Sequence, residues 1–480
     1  MTTKKWCKNF AGILALMLLA GCGEASAPVD TTAVDTTSQT VETEEHLQTP
    51  DLEVRDFGGR EFCTATFENG NFHYQIVVEE ENGDVMNDSV FKRNQFVEDT
   101  YNVKMTQHLY PDVWDGRVAM KNSVVAGEDA YDLIVVRCDW ALTYWSEGLL
   151  IPVDDLPNVN LNKKYWDKSI NESLSIGGTQ YIAEGAFNMD IYDVIYCLVF
   201  NKQIAEDVKL DNLYQLVKDG KWTMDKMQEY ITAAANDLNG DTVMDDKDMW
   251  GYMAHHKNVA PDFWIGAGVT SIAKDANDVP YINMTDSRFV DVFERTFKLA
   301  YDSGAVYMTE GDGLDIPTEI RTIFADNRSL FMDMSFNYIE SLRGMDTDFG
   351  IIPYPKFDET QKDYHARVCY YMPTIVPITC KDTDFVGYML EVLNCESYKT
   401  VIPAYIEVAI KGKHSRDEES IDMIDLIFDS RVIDIGDSTL CGTIRDGFIW
   451  TMMKNNSRDL ASQVASNEAK ILEKLSVMTE

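Results

Sequence analysis

Long apolar runs are scarce in this chain of 480 residues. The one continuous greasy stretch, residues 10–20 (FAGILALMLLA), is about half of the ~20 residues that a membrane-spanning helix needs. Cationic residues are few: 42 Lys and Arg stand against 80 Asp and Glu, a formal net charge of −38. This argues against nucleic acid as a partner, because phosphates need a basic surface. It also argues against contact of the folded part with anionic lipid, and the acid reads as a solvated surface. No two cysteines have CxxC spacing. Beyond Cys7 and Cys22 there remain Cys63, Cys138, Cys197, Cys369, Cys380, Cys395 and Cys441, scattered and odd in number. Neither a disulfide framework nor a zinc site is expected from them, and several lie inside apolar segments as small core residues. There is no HExxH, no P-loop and no nucleophile elbow, so no motif marks an enzyme. Paired carboxylates could make a glycosidase, but among 80 acidic residues some pair by chance. No internal repeat of fixed period occurs.

What is present begins with a basic start (Lys4, Lys5, Lys8), the short apolar run and a small residue before a cysteine. These make residues 1–21 a secretory signal peptide. Leu19-Ala20-Gly21-Cys22 resembles the lipobox of bacterial lipoproteins. That resemblance implies diacylglyceryl transfer to the Cys22 thiol and cleavage before it, leaving the protein lipid-anchored on the extracellular face of the cell membrane. Two or more acyl chains anchor stably, whereas one is marginal. Residues 22–51 follow, rich in Thr, Ser, Ala and Glu and without an aromatic. Such a segment buries too little apolar surface to offset its ordering entropy and reads as a flexible tether.

The remaining roughly 430 residues are too many for one compact core and suggest two lobes. Residues 62–67 form a first strand candidate, 102–109 a second, and 131–136 a buried one with a helix from about Ala141 after it. Helical periodicity covers 88–99, where Val90, Phe91, Phe96 and Val97 are apolar. Further helices are expected over 222–235, with Thr223 as cap, over 286–303 and over 384–393, and short strands over 330–334 and 349–352. Alternating strands and helices argue for α/β lobes with mostly parallel sheets.

Residues 237–248 (DLNGDTVMDDKD) carry the sharpest chemical motif. Asp237, Asn239, Asp241, Asp245 and Asp248 put side-chain oxygens at loop positions 1, 3, 5, 9 and 12, and Val243 offers its carbonyl at position 7. This is the spacing of an EF-hand-type calcium loop after a helix, because a hard cation of this size needs six to eight oxygens. Thr242 stands where glycine normally makes the sharp turn, and position 12 is Asp rather than Glu. A structural Ca²⁺ is the expected cofactor; a solvated acidic loop with Asn-Gly turn chemistry is the alternative.

Several stretches, in order, resemble the extracellular solute-binding lipoproteins of ABC importers, maltose-binding type, in a carbohydrate-binding branch from gut Gram-positive bacteria. They include Tyr131-Asp-Leu-Ile-Val, Ser146-Glu-Gly-Leu-Leu-Ile-Pro-Val-Asp154, Val199-Phe-Asn201-Lys202, Gly220-Lys-Trp-Thr-Met-Asp225, Asp348-Phe-Gly-Ile-Ile-Pro-Tyr-Pro-Lys356 and Lys411-Gly-Lys-His-Ser-Arg-Asp-Glu-Glu-Ser420. One departure is Asn327, where that family usually has glycine; Asn tolerates the left-handed conformation best after Gly. The resemblance implies a two-lobed, periplasmic-binding-protein-like α/β fold (type 2) with a ligand cleft between lobes. By that pattern residues 52–183 and 353–400 form one lobe, and 184–352 with 401–480 the other. It further implies a monomeric, non-catalytic receptor that captures a carbohydrate, an oligosaccharide first of all, and hands it to permease subunits. A non-sugar solute such as a peptide, a sensor or adhesin on the same fold, and a surface glycoside hydrolase are the rival readings.

Cleft candidates are aromatic and polar residues just after strands, since rings stack on the C–H face of a sugar while carboxylates, Arg and Asn bond hydroxyls. Glu68 and Asn69 follow the first strand, and Arg137, Asp139 and Trp140 the 131–136 strand. Phe187, Asn188 and Asp190 lie at the first crossing, and Trp264 in the second lobe. Ser335, Phe336 and Asn337 follow the 330–334 strand. Tyr370 and Tyr371 end the second crossing; only one of these neighbours can face the cleft, and Tyr371 is taken. Trp140 and Trp264 read equally well as core rings, and Asp139 as a helix cap.

Overall fold

Strands that are apolar on both faces mark the centres of two sheets. Leu133–Val135 (LIV) is buried throughout, as is Tyr196–Asn201 (YCLVFN), the pattern of strands covered on both sides. The structure is a computed structural model in which residues 49–68, 76–406 and 418–479 are described. The signal segment, Cys22, tether residues 22–48 and Asn69 lie outside the described residues.

In chain order the strands are β1 (Arg60–Phe67), β2 (Val103–Tyr110), β3 (Leu133–Val135), β4 (Leu150–Ile151), β5 (Tyr196–Asn201), β6 (Trp250–His255), β7 (Ile272–Lys274), β8 (Pro280–Ile282), β9 (Val306–Thr309), β10 (Ser329–Ser335), β11 (Phe349–Ile352), β12 (Ala366–Arg367), β13 (Thr374–Pro377) and β14 (Arg431–Val432). One five-stranded sheet has the order β2-β1-β3-β13-β4 and the other β11-β5-β10-β6-β9. In the first, β1 runs parallel to β2, from Arg60 opposite Val103 to Phe67 opposite Tyr110, and parallel to β3; β13 is antiparallel to β3 and β4. In the second, β6 is parallel to β9 and β10, while β5 is antiparallel to β10 and β11. The sheets are therefore mixed rather than mostly parallel, because chain that returns between lobes enters each from the opposite end.

Local chemistry sets the element ends. Asp84 accepts hydrogen bonds from the Met86 and Asn87 backbone N–H groups and starts the helix Val85–Tyr101 three residues before the apolar periodicity does; Asn102, at φ 50°, ends it in the left-handed region. Such a cap contributes about 1 kcal/mol. Thr223 caps Met224–Ala234 as expected, and Asn327 takes φ 59°, so the turn survives without glycine. Gly251 in β6 is required, because a Cβ there would strike the Ile231 carbonyl of that helix. The periodicity over 286–303 resolves into an α-helix, Ser287–Phe297, and a wider π turn, Lys298–Asp302. The helix expected over 384–393 runs on through Thr383–Ala404.

Two boundaries differ from expectation. Residues 353–365 side with the second sheet: Trp222 Nε1 donates to the Pro353 carbonyl at 3.0 Å, the Tyr354 hydroxyl donates to Asp333 at 2.6 Å, and Gln361 donates to the Gly266 carbonyl at 2.8 Å. The chain thus returns to the first lobe only after β12, not at 353. The final helix, Leu460–Thr479, touches both the helix Cys138–Ser146 of the first lobe and β8 of the second. It therefore belongs to neither lobe alone.

Candidate functional site

Three segments run side by side between the lobes. Asn188 donates to the Met372 carbonyl at 2.7 Å, the Met372 N–H donates to Asp190 at 2.7 Å, and Ile195 bridges Val368. Val368 in turn donates its N–H to the Val432 carbonyl at 3.0 Å, beside the β12–β14 pair. Backbone that would otherwise be unpaired at the crossing is satisfied by this ribbon.

Beside the ribbon lies a cavity of about 200 Å³. Val194, just before β5, lines it, and the polar wall residues come from strand ends and crossings. Arg137 follows β3, Lys257 follows β6, Asn337 and Tyr338 follow β10, Asp315 lies between β9 and the helix Thr318–Ala325, and Tyr370 belongs to the crossing. Both sheets thus contribute. Arg137 Nε and Nη2 form a paired fork with Asp139 at 2.5 and 2.7 Å. Lys257 Nζ reaches Asp315 at 3.0 Å. Every cation in the wall has its own carboxylate, so the cavity presents fixed dipoles with little net charge. Burial, then the neighbouring Lys257 charge, pushes His255 down to about 4. It is therefore neutral at pH 7, and its Nδ1 accepts the Lys257 backbone N–H at 2.9 Å.

Tyr370 holds its ring among cations: the Arg445 guanidinium is 4.1 Å from its centroid, Lys257 Nζ 4.6 Å and Arg137 5.5 Å. Its hydroxyl donates to Asp446 at 3.0 Å. Burial alone would raise the Asp446 carboxyl, but the Arg445 guanidinium beside it holds it below the usual range. Behind Tyr370 lies a fully buried ion network. Arg367 forks onto Asp437 at 2.6 and 2.8 Å and reaches Asp262 at 3.1 Å, while Arg445 shares Asp437 at 3.1 Å. Removing one member would leave an uncompensated buried charge, which is strongly destabilising.

The structure gathers only part of the set expected from sequence. Arg137 lines the cavity and Asp139 orients it; Asp139 sits in the first turn of the helix Cys138–Ser146 and does not cap it. Glu68 is exposed at the end of β1. Trp140 is buried against Phe67 and Trp114. Trp264 is a core ring: it is 1% exposed, and its Nε1 donates to the buried Asp434 carboxylate at 2.8 Å. Phe187 is buried under the Arg93 guanidinium, and Phe336 packs edge-on against Phe428. Asp190 serves the crossing, not the cavity. Of the tyrosine pair the choice is reversed: Tyr371 is fully buried, whereas Tyr370, at φ 60°, lines the cavity. A left-handed residue breaks the alternation on which strand reasoning relies. Lys257, Asp315 and Tyr338 escaped the sequence reading. Identifying β6 as a strand would have exposed Lys257 by the same strand-end rule; Asp315 carried no signal.

The loop 237–248 has the turn chemistry of its motif. Thr242 takes φ 69°, the left-handed turn usually given by glycine. Asp237 accepts the Gly240 and Thr242 N–H groups at 2.6 and 2.7 Å, and Asp241 accepts Val243 N–H at 2.8 Å. Asp248 is buried and accepts from Leu238 and Asp245. Asp245 pairs with Lys247. Among the described residues, no group of three or more His, Cys, Asp or Glu side chains converges as a metal site.

Neither a family model nor a curated protein sequence matches the chain. Solved structures do. A family 1 extracellular solute-binding protein from Bifidobacterium longum subsp. infantis superposes with a TM-score of 0.59 at 12% identity, covering 86% of this chain and 100% of that one. An ABC substrate-binding protein from Listeria monocytogenes, in complex with cycloalternan, gives 0.56 at 11%, covering 87% and 99%. The fold is that of a two-lobed solute-binding protein. A cyclo/maltodextrin-binding protein complexed with maltotetraose shares this binding fold at 0.56 and 12%, covering 88% and 96%. Ligands of such folds sit in the crevice at strand ends, where the Arg137–Lys257–Tyr370 cavity lies. Among the described residues no helix is long and apolar enough to cross a membrane.

Proposed function

We propose that the protein is an extracellular receptor that captures a carbohydrate between its lobes and delivers it to the permease of an ABC importer. The observation that carries this reading is the cavity itself, walled by both lobes and balanced in charge through the Arg137–Asp139 and Lys257–Asp315 pairs. Paired charges hold their donors and acceptors in fixed directions, which suits the vicinal hydroxyls of a neutral sugar better than a free ion. Two of the structurally similar proteins were solved with cycloalternan and maltotetraose, which supports the ligand class. A ligand that touches both walls binds the closed arrangement better than the open one, and that difference drives closure.

A thermal-shift screen of mono- and oligosaccharides, with peptides as controls, tests the reading. A ligand at 100 times its dissociation constant adds about 2.7 kcal/mol. A shift with a sugar supports the proposal; a shift with peptides alone replaces the ligand class. The lipid anchor at Cys22 is part of the same proposal, motivated by the Leu19-Ala20-Gly21-Cys22 stretch. Cys22→Ala should release the protein from membrane fractions or leave an uncleaved precursor. We also propose a structural Ca²⁺ in the loop 237–248, supported by its oxygen spacing and by the left-handed Thr242.

A further inference from the structure

The cavity of about 200 Å³ is smaller than the roughly 300–1,000 Å³ of pockets that enclose drug-sized ligands. It has room for one sugar ring, so a longer ligand must leave it across a neighbouring surface. One route out is marked by side chains. The Arg137 guanidinium, in the cavity wall, lies 4.5 Å from the Trp140 ring. Trp140 is 5.4 Å from the ring of Trp114. Arg117 spans both rings, 4.9 Å from Trp140 and 5.0 Å from Trp114. The ladder thus climbs from Tyr370 through Arg137, Trp140 and Arg117 to Trp114.

Trp114 is the only exposed tryptophan among the described residues, with 57% of its surface open. Its placement follows from topology. Strands β1, β2 and β3 are parallel, so their C-terminal ends share one edge of the sheet. Arg137 leaves that edge after β3, and Trp114 leaves it after β2, in the first turn of the helix Val113–Val125. The ring's anchorage is rigid. Asp112 caps the helix and accepts the Trp114 N–H at 2.8 Å. Gly116, one turn further, lets the helix lie against β1 and β2, since a Cβ there would come within 2.6 Å of Tyr110 and 2.8 Å of Phe67. Trp140 and Arg117 support the indole from the protein side. A large, fixed and half-open aromatic surface next to a polar cavity is suited to the C–H face of a pyranose.

We propose that Trp114 is the platform of a second subsite, which stacks the sugar ring following the one in the Arg137–Lys257–Tyr370 cavity and so makes the receptor select linear saccharides of two or more units. This rests on the carbohydrate reading of the cleft. The full chain, Trp114→Ala and Trp114→Phe are titrated calorimetrically with glucose, galactose, mannose and xylose and with their linear di- and trisaccharides. For the preferred series the wild type should gain at least tenfold in affinity from one unit to two. Trp114→Ala should cut that gain below threefold while changing monosaccharide affinity less than twofold, and Trp114→Phe should retain part of the gain. A wild type that binds sugars without such a gain, or a Trp114→Ala that keeps it, overturns the subsite alone. Equal losses for mono- and disaccharide in Trp114→Ala also overturn it, since Trp114 would then only buttress Trp140 and Arg137. A wild type that binds nothing in the panel overturns the carbohydrate reading and the subsite with it.

Discussion

The Met372 backbone N–H donates to Asp190 Oδ2 at 2.7 Å, joining two of the segments that cross between the lobes. Burial raises the Asp190 carboxyl to about 8, with the nearby Asp193 charge adding to the shift and the Met372 N–H opposing it. An unfolded Asp titrates near about 3.9. Between these values the folded state holds a proton that the unfolded state has lost, so stability falls as pH rises through this window. Asp190→Asn keeps an acceptor for Met372 and has no charge to bury. Its melting temperature should decline less than wild type between pH 5 and pH 9, and should exceed wild type at pH 9. A variant that melts below wild type at pH 9 would show that the ionised carboxylate is the stabilising form.

Lys257 and Asp315 form an ion pair in the cavity wall between two segments of the second lobe, 58 residues apart in sequence. Lys257→Ala should weaken ligand binding tenfold or more, about 1.4 kcal/mol, and should also lower the melting temperature by leaving Asp315 unpaired. Adding Asp315→Asn should restore most of the melting temperature without restoring affinity. Recovery of both in the double variant would mean that the pair shapes the wall without touching ligand.

Trp264 is assigned to the core by its bond to Asp434, a carboxylate that burial raises to about 6 and that also accepts from Ser271. Trp264→Phe removes one donor from a buried acceptor, and the cost should be about 1–3 kcal/mol, read by denaturant unfolding. Ligand affinity should stay within twofold. An affinity loss at unchanged stability would return the ring to the cleft.

If the loop 237–248 takes Ca²⁺, chelator should lower the melting temperature and added millimolar Ca²⁺ should restore it. Saturation at 100 times the dissociation constant adds about 2.7 kcal/mol. Asp241→Ala should abolish the response. Calorimetry without a binding isotherm at millimolar metal would remove calcium from the account.

Features governed by near neighbours were legible in the sequence. The strand at Phe349–Ile352, the Thr223 cap and the turn at Asn327 each depend on a few adjacent residues. The choice between core and cleft was not legible, because it depends on partners brought together by the fold. Trp264 meets Asp434 across 170 residues, and Lys257 meets Asp315 across 58. The same holds for the tyrosine pair. Alternation says that Tyr370 and Tyr371 face opposite ways, but not which way. That was decided by the left-handed turn at Tyr370, where the crossing strand bends and the Arg445–Asp446 pair holds its ring and hydroxyl. The sequence by itself thus determined the alternation of elements and the residue types offered at strand ends. Only the tertiary structure decided which of those side chains converge, because convergence is a property of two sheets and three crossing segments packed together.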